Sequence, residues 1–144
     1  MPQKNLSESS TTIESVLGSL APEIENDKLA ATLYTEWGIW LAGEKNDSSA
    51  EEKFLAVIKY NPKDLPARTE LGRLLSRQKG REGEAEKYLQ EAIRIEPKDL
   101  HSRTVLAKLY ESMDRLPEAR QLYQELCIID PGNRFGRDGL SRLK

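Results

Sequence analysis

Hydrophobic positions along the chain recur in blocks. The runs FLAVIKY, YLQEAIRI and LYQELCII place apolar residues at helical spacing, and each is followed by a proline, Pro62, Pro97 or Pro131. The interval between these prolines is nearly constant, the first being longer than the second by a single position. Such a run predicts an amphipathic helix with one buried stripe, and the proline ends it. An alanine stands twelve residues before each proline, at Ala50, Ala85 and Ala119, with a large apolar side chain four residues further on, at Phe54, Leu89 and Tyr123. Small and large residues thus share one helical face. Upstream, an apolar residue sits beside a small one in Trp37-Gly38, Leu71-Gly72 and Leu106-Ala107, and Leu41, Leu75 and Tyr110 follow four residues after the first member. Because glycine inside a helix costs about 1 kcal/mol relative to alanine, its recurrence points to close helix packing.

The second helices have start signals of their own. Ser48 with Glu51 reads as a capping box, and Pro117 with Glu118 opens the last of them. The extra residue of the middle block falls between Leu75 and Ala85, in the turn SRQKGREGE. Near the start, Ile13, Val16, Leu17 and Leu20 predict a short helix over about residues 12–20, with Thr11 and Glu14 as a capping box and Pro22 as its stop. That helix either packs outside the first block near Leu29, Leu33 and Trp40 or enters a binding groove. After Pro131 a further unit begins, with Leu140 and Ser141 at the large-small pair.

These residues resemble the tetratricopeptide repeat, a 34-residue helix-turn-helix unit. Trp37, Gly38, Leu41, Ala50, Phe54 and Pro62 carry the resemblance in the first copy; Leu71, Gly72, Leu75, Ala85, Leu89, Ala92 and Pro97 carry it in the second. Leu106, Ala107, Tyr110, Ala119, Tyr123 and Pro131 carry it in the third. Arg68 and Arg103 depart from the pattern at the first large position, which Tyr34 fits, and Val57 and Leu126 depart from it where Ala92 keeps the alanine. The resemblance implies an all-α fold, a right-handed superhelical solenoid of three repeats at about 31–64, 65–99 and 100–133. It also implies a domain over 23–144 that closes on a capping helix at 134–144, preceded by a polar tail and the short helix within 1–22. A final half-unit covers the apolar face that the last repeat would otherwise expose.

The function implied by the resemblance is binding of a partner protein's peptide or helix in a concave groove lined by the first helix of each repeat. The groove positions are then Thr35, Ile39 and Ala42; Thr69, Arg73, Ser76 and Arg77; His101, Thr104, Lys108 and Glu111; and Arg142 on the capping helix. This lining is polar and mildly basic, suited to an acidic segment held by charge-assisted hydrogen bonds from Arg73 and Lys108. Family members that clamp the C-terminal carboxylate of heat-shock chaperones use lysine, asparagine and arginine where this chain has Thr35, Ile39, Glu70, His101 and Val105. The clamp residues are therefore absent, and Glu70 would repel a carboxylate. Two further classes stay in view: a self-associating adaptor joined through residues such as Trp40 and Ile39, and a nucleic-acid-binding helical repeat.

Charge changes that picture only slightly. The 22 basic and 24 acidic residues give a net charge of -2, without the basic field that nucleic acid attracts. Residues 1–30 carry -3 and the last eleven +3. One cysteine, Cys127, and one histidine, His101, leave no zinc spacing and no nucleophile-base pair, so a non-enzyme without metal or cofactor is expected. Cys127 is expected in the core of its helix, beside Ile128 and Ile129. The absence of an apolar signal run or an 18-residue apolar stretch, with the lone cysteine, suggests a cytoplasmic protein.

Overall fold

The computed structural model describes residues 28–144, with Ser15 and Ser19 ahead of them. Apart from those two serines, the polar tail and the short helix expected near the start lie outside the described residues. Seven helices follow in order: α1 (Lys28–Gly43), α2 (Asp47–Tyr60), α3 (Leu65–Leu75), α4 (Glu82–Ile95), α5 (Leu100–Ser112), α6 (Leu116–Ile129) and α7 (Arg134–Arg142). They divide into two compact units, one ending at Asp64 and the other spanning Leu65–Lys144.

In the first unit α1 packs against α2. Gly38 makes this possible, since a Cβ placed there would come within 2.5 Å of the Phe54 ring. Ala50, Phe54 and Val57 on α2 and Tyr34, Trp37 and Leu41 on α1 are all at most 5% exposed. Tyr34 and Trp37 meet edge to face at 5.5 Å between ring centroids, and Lys53 Nζ lies 4.1 Å from the Trp37 centroid.

The second unit repeats the design. Its α3 packs on α4, α4 on α5, α5 on α6 and α6 on α7, and α3 also meets α5. Gly72 stands where Gly38 does, and a Cβ there would come within 2.6 Å of Leu89 Cγ. The periodic residues Leu71, Leu75, Ala85, Leu89, Ala92, Ala119, Tyr123 and Leu126 are all at most 1% exposed. Cys127, by contrast, is only half-buried, and Ile128 is 79% exposed, so the apolar face ends just after Leu126. In α7 the buried residues are Gly136 and Gly139, while Leu140 is half-buried and Ser141 exposed. Tyr123 is too bulky to admit any Cβ at position 139, the would-be atom lying 2.5 Å from its ring.

The turns within the helical pairs share one left-handed residue, Lys45 (φ 61°), Gly80 (φ 88°) and Asp114 (φ 57°). Around Lys45 the amides of Lys45 and Asn46 donate to Ala42 and Leu41, and around Asp114 those of Asp114 and Arg115 donate to Glu111 and Tyr110. Both are Schellman closures, which satisfy the last carbonyls of the first helix. The three left-handed residues already keep the unequal intervals of the prolines. The inserted residue therefore lies between Leu75 and Gly80. Helix starts use acceptors before the first turn: Asn46 accepts from the Ser49 amide at 3.4 Å, Asp99 from Ser102 at 2.7 Å and Asn133 from Gly136 at 2.8 Å. The α2 cap is thus Asn46, two residues before the expected Ser48.

Candidate functional site

Within the second unit, α3, α5 and the start of α7 line a concavity of about 630 Å3. Its wall comprises Arg73 and Ser76 from the α3 end, Leu100, His101, Thr104, Val105, Lys108, Leu109 and Ser112 from α5, and Asn133 with Phe135 at the start of α7. The lining residues of α5 fall on one face because they recur at three- and four-residue intervals. A second, smaller hollow of about 360 Å3 is lined by residues of α4, α5 and α6, including Ile93, Leu106 and Leu122.

Between α3 and α5 lies a buried hydroxyl pair. Thr69 Oγ1 and Ser102 Oγ lie 2.7 Å apart, and both residues are at most 2% exposed. The same two helices are also joined by charge. Glu70 accepts from Arg73 Nε at 2.8 Å and Nη2 at 2.5 Å, and His101 Nε2 donates to the other Glu70 oxygen at 3.3 Å. Burial alone would raise the Glu70 pKa, but hydrogen bonds from His101 and Arg73 together with their charge leave it below the usual value. The hydrogen bond to Glu70 raises the His101 pKa above its ordinary value despite some desolvation.

Lys108 is exposed, and its Nζ sits 4.9 Å from the centroid of the Phe135 ring. Phe135 is itself 56% exposed. Further along, Glu111 accepts from Arg142 Nη2 at 2.8 Å and from the Tyr123 hydroxyl. Burial, then this bond to Glu111, pushes the Tyr123 pKa up to about 12.

The residues expected to form a groove therefore separate. Arg73, Ser76, His101, Thr104 and Lys108 line the concavity. Thr104 is half-buried, its hydroxyl donating to the Leu100 carbonyl at 2.8 Å. Thr69 lies in the helix interface, Arg77 is exposed outside the lining, and Arg142 is held by Glu111. In the first unit, Thr35 is 4% exposed and donates to the Ala31 carbonyl at 3.0 Å, and Ile39 is half-buried. The groove pattern missed Leu100, Val105, Leu109, Ser112, Asn133 and Phe135, and of these Phe135 is the aromatic one. It stands one repeat after His101, at the same register of the next first helix, and so shares its face.

Arg68 and Arg103 are each 7% exposed and do not reach the concavity. Arg68 is ion-paired with Glu91, and Arg103 Nε lies 3.1 Å from Glu125. Among the described residues no group of histidine, cysteine and carboxylate side chains could hold a metal, and no helix is long and apolar enough to cross a membrane.

Comparison with known proteins places this geometry. A family model for the tetratricopeptide repeat matches residues 76–135. No curated protein matches the chain. Among solved structures, the first tetratricopeptide domain of Spaghetti (RPAP3) bound to an HSP90 peptide superposes with a TM-score of 0.74 at 16% identity, covering 81% of this chain and 92% of that one. The Arabidopsis OM64 tetratricopeptide domain gives 0.71 at 18% identity, over 80% of this chain and 94% of its own. The Sgt2 tetratricopeptide domain from Aspergillus fumigatus gives 0.74 at 14% identity, over 83% and 80%. At such identities the likeness is one of fold: helical pairs of the tetratricopeptide solenoid.

Proposed function

We propose that this chain, built of tetratricopeptide repeats, is a protein-interaction module whose second unit binds a segment of a partner protein along α3, α5 and the start of α7. The observation that carries the reading is the concavity itself, about 630 Å3 with apolar walls at Leu100, Val105 and Leu109 and polar groups at Arg73, His101, Thr104 and Lys108. A pocket with an apolar lining and a few convergent polar groups is the usual form of a recognition site, since the first gives affinity and the second orientation. The RPAP3 domain similar in fold was solved with an HSP90 peptide bound, which supports peptide recognition as the kind of work. It does not supply the ligand. Where chaperone-binding relatives use a carboxylate clamp, this chain has Glu70, already engaged by Arg73 and His101, and Val105, which is 8% exposed. The proposed partner is accordingly a protein segment with acidic character rather than a chaperone tail.

The experiment is capture from lysate with the wild-type chain and with an Arg73→Glu/Lys108→Glu variant, read by mass spectrometry, with circular dichroism to show that both are folded. A set of partners retained by the wild type and lost by the variant is expected. Recovery of the same partners by both would overturn the groove reading.

A further inference from the structure

We infer that the concavity selects a segment in which one acidic side chain stands next to one bulky apolar side chain, at an internal position of the partner and not at its C-terminus. This rests on the groove reading above and specifies what the groove takes.

Three bases share one register of the second unit, one on each first helix: Arg73 on α3, Lys108 on α5 and Arg142 on α7, each one repeat from the next. They are not equivalent. Arg73 is held by Glu70 through two of its nitrogens, and Arg142 is held by Glu111 at 2.8 Å. Lys108 makes none of the ion pairs found among the described residues. Its ammonium instead lies over the Phe135 ring. A ring face leaves an ammonium with N–H donors still to satisfy, so Lys108 is the base of this ladder that accepts an incoming carboxylate without displacing one of the chain's own.

Beside that ammonium the wall is apolar. Leu100, Val105, Leu109 and Phe135 line the same concavity, and more than half of Phe135 faces solvent. A leucine- or phenylalanine-sized side chain neighbouring the acidic residue would cover Phe135 and exclude water from the Lys108 pair, which strengthens the pair. A second carboxylate fares differently. On either side of Lys108 it would approach Arg73 or Arg142, whose charge is already offset by Glu70 or Glu111, and would meet those acids at close range. A doubly acidic C-terminus therefore gains one pairing and incurs repulsion for the rest.

The test is a titration of the 15N-labelled full chain, followed by amide chemical shifts. The probes are short glycine-serine peptides, acetylated and amidated, carrying at the centre leucine-glutamate, leucine-glutamine or alanine-glutamate, together with one that ends in two glutamates and a free carboxylate. The leucine-glutamate peptide is expected to move the amides of Thr104, Lys108 and Phe135. Exchange of its glutamate for glutamine should weaken binding about fivefold, and of its leucine for alanine about tenfold. In Lys108→Gln the glutamate preference should vanish while the leucine preference persists; in Phe135→Ala the reverse should hold. Retention of the glutamate preference in Lys108→Gln, or tighter binding of the doubly acidic terminus, overturns the inference. If peptides move the α3 and α5 amides with no preference for acid, this inference fails and the groove reading stands. If no peptide moves any groove amide, both fail.

Discussion

Arg68 and Arg103 show how a residue that breaks a repeat pattern is accommodated. They occupy the place that Tyr34 holds in the first unit, and each buried guanidinium is paired with a glutamate of the following second helix, Glu91 or Glu125. Those two glutamates are themselves one repeat apart, and the corresponding position of the first unit is Ala56. The exchange is therefore of a pair, aromatic-small for Arg-Glu. Breaking it removes a buried guanidinium and leaves the half-buried Glu125 without that partner: Arg103→Ala is expected to lower stability by about 1 kcal/mol, and Arg103→Met with Glu125→Gln should recover most of that loss, both read by urea denaturation. The two arginines stood out in the sequence as departures, but their partners did not, because each pairing reaches across a turn from a first helix to the far part of the second. The His101–Glu70 link makes a pH-dependent prediction. A His101 pKa raised in the folded state contributes stability below about pH 6.5, lost as pH rises through the folded value; a lowered Glu70 pKa contributes above about pH 4.3, lost as pH falls through its folded value. The gap between wild type and His101→Gln should then be widest between about pH 4.3 and pH 6.5 and close as pH rises through the raised His101 value. With the imidazole largely exposed, it should amount to a few tenths of a kcal/mol.

At the scale of the helix, close approach and capping decide what each position tolerates. Gly72 lies against Leu89, so Gly72→Ala should cost about 1–3 kcal/mol by forcing a fully buried side chain to move. Gly83, in the first turn of α4, has open space around its Cβ direction, and Gly83→Ala should stabilise by a few tenths of a kcal/mol. Thermal melts of the two variants, shifted in opposite directions, check the pair. Asp99→Ala removes the acceptor of the Ser102 amide and should cost about 1 kcal/mol. Helix pairs and their small-large packing were legible in advance, since Gly38 and Gly72 stand where the pattern demands small residues. Helix starts were less so: Ser48 with Glu51 satisfied a sequence rule that Asn46 satisfies first. Asn133 stands one repeat after Asp99 and keeps its capping function with a different side chain.

Across the whole molecule, the final helix closes the second unit. Gly136 and Gly139 let α7 approach Cys127 and Tyr123, and removal of residues 133–144 would uncover Tyr123 and Leu126, now at most 1% exposed. A chain truncated there should melt about 10 °C lower by circular dichroism, since a terminal repeat depends on its neighbour for cover. The repeat itself was readable in the amino-acid order: helical periodicity, proline spacing and alternation of small with large residues act within a few turns of one chain segment, so all-α pairs and their core residues follow from them. The tertiary structure decided the charges. Whether a base is free for a partner depends on which acid folds against it, and that is set by the packed helices: Arg73 meets Glu70, Arg142 meets Glu111, and Lys108 meets only the ring of Phe135 among the described residues. Three bases at one register look alike in sequence and differ only once their neighbours are in place.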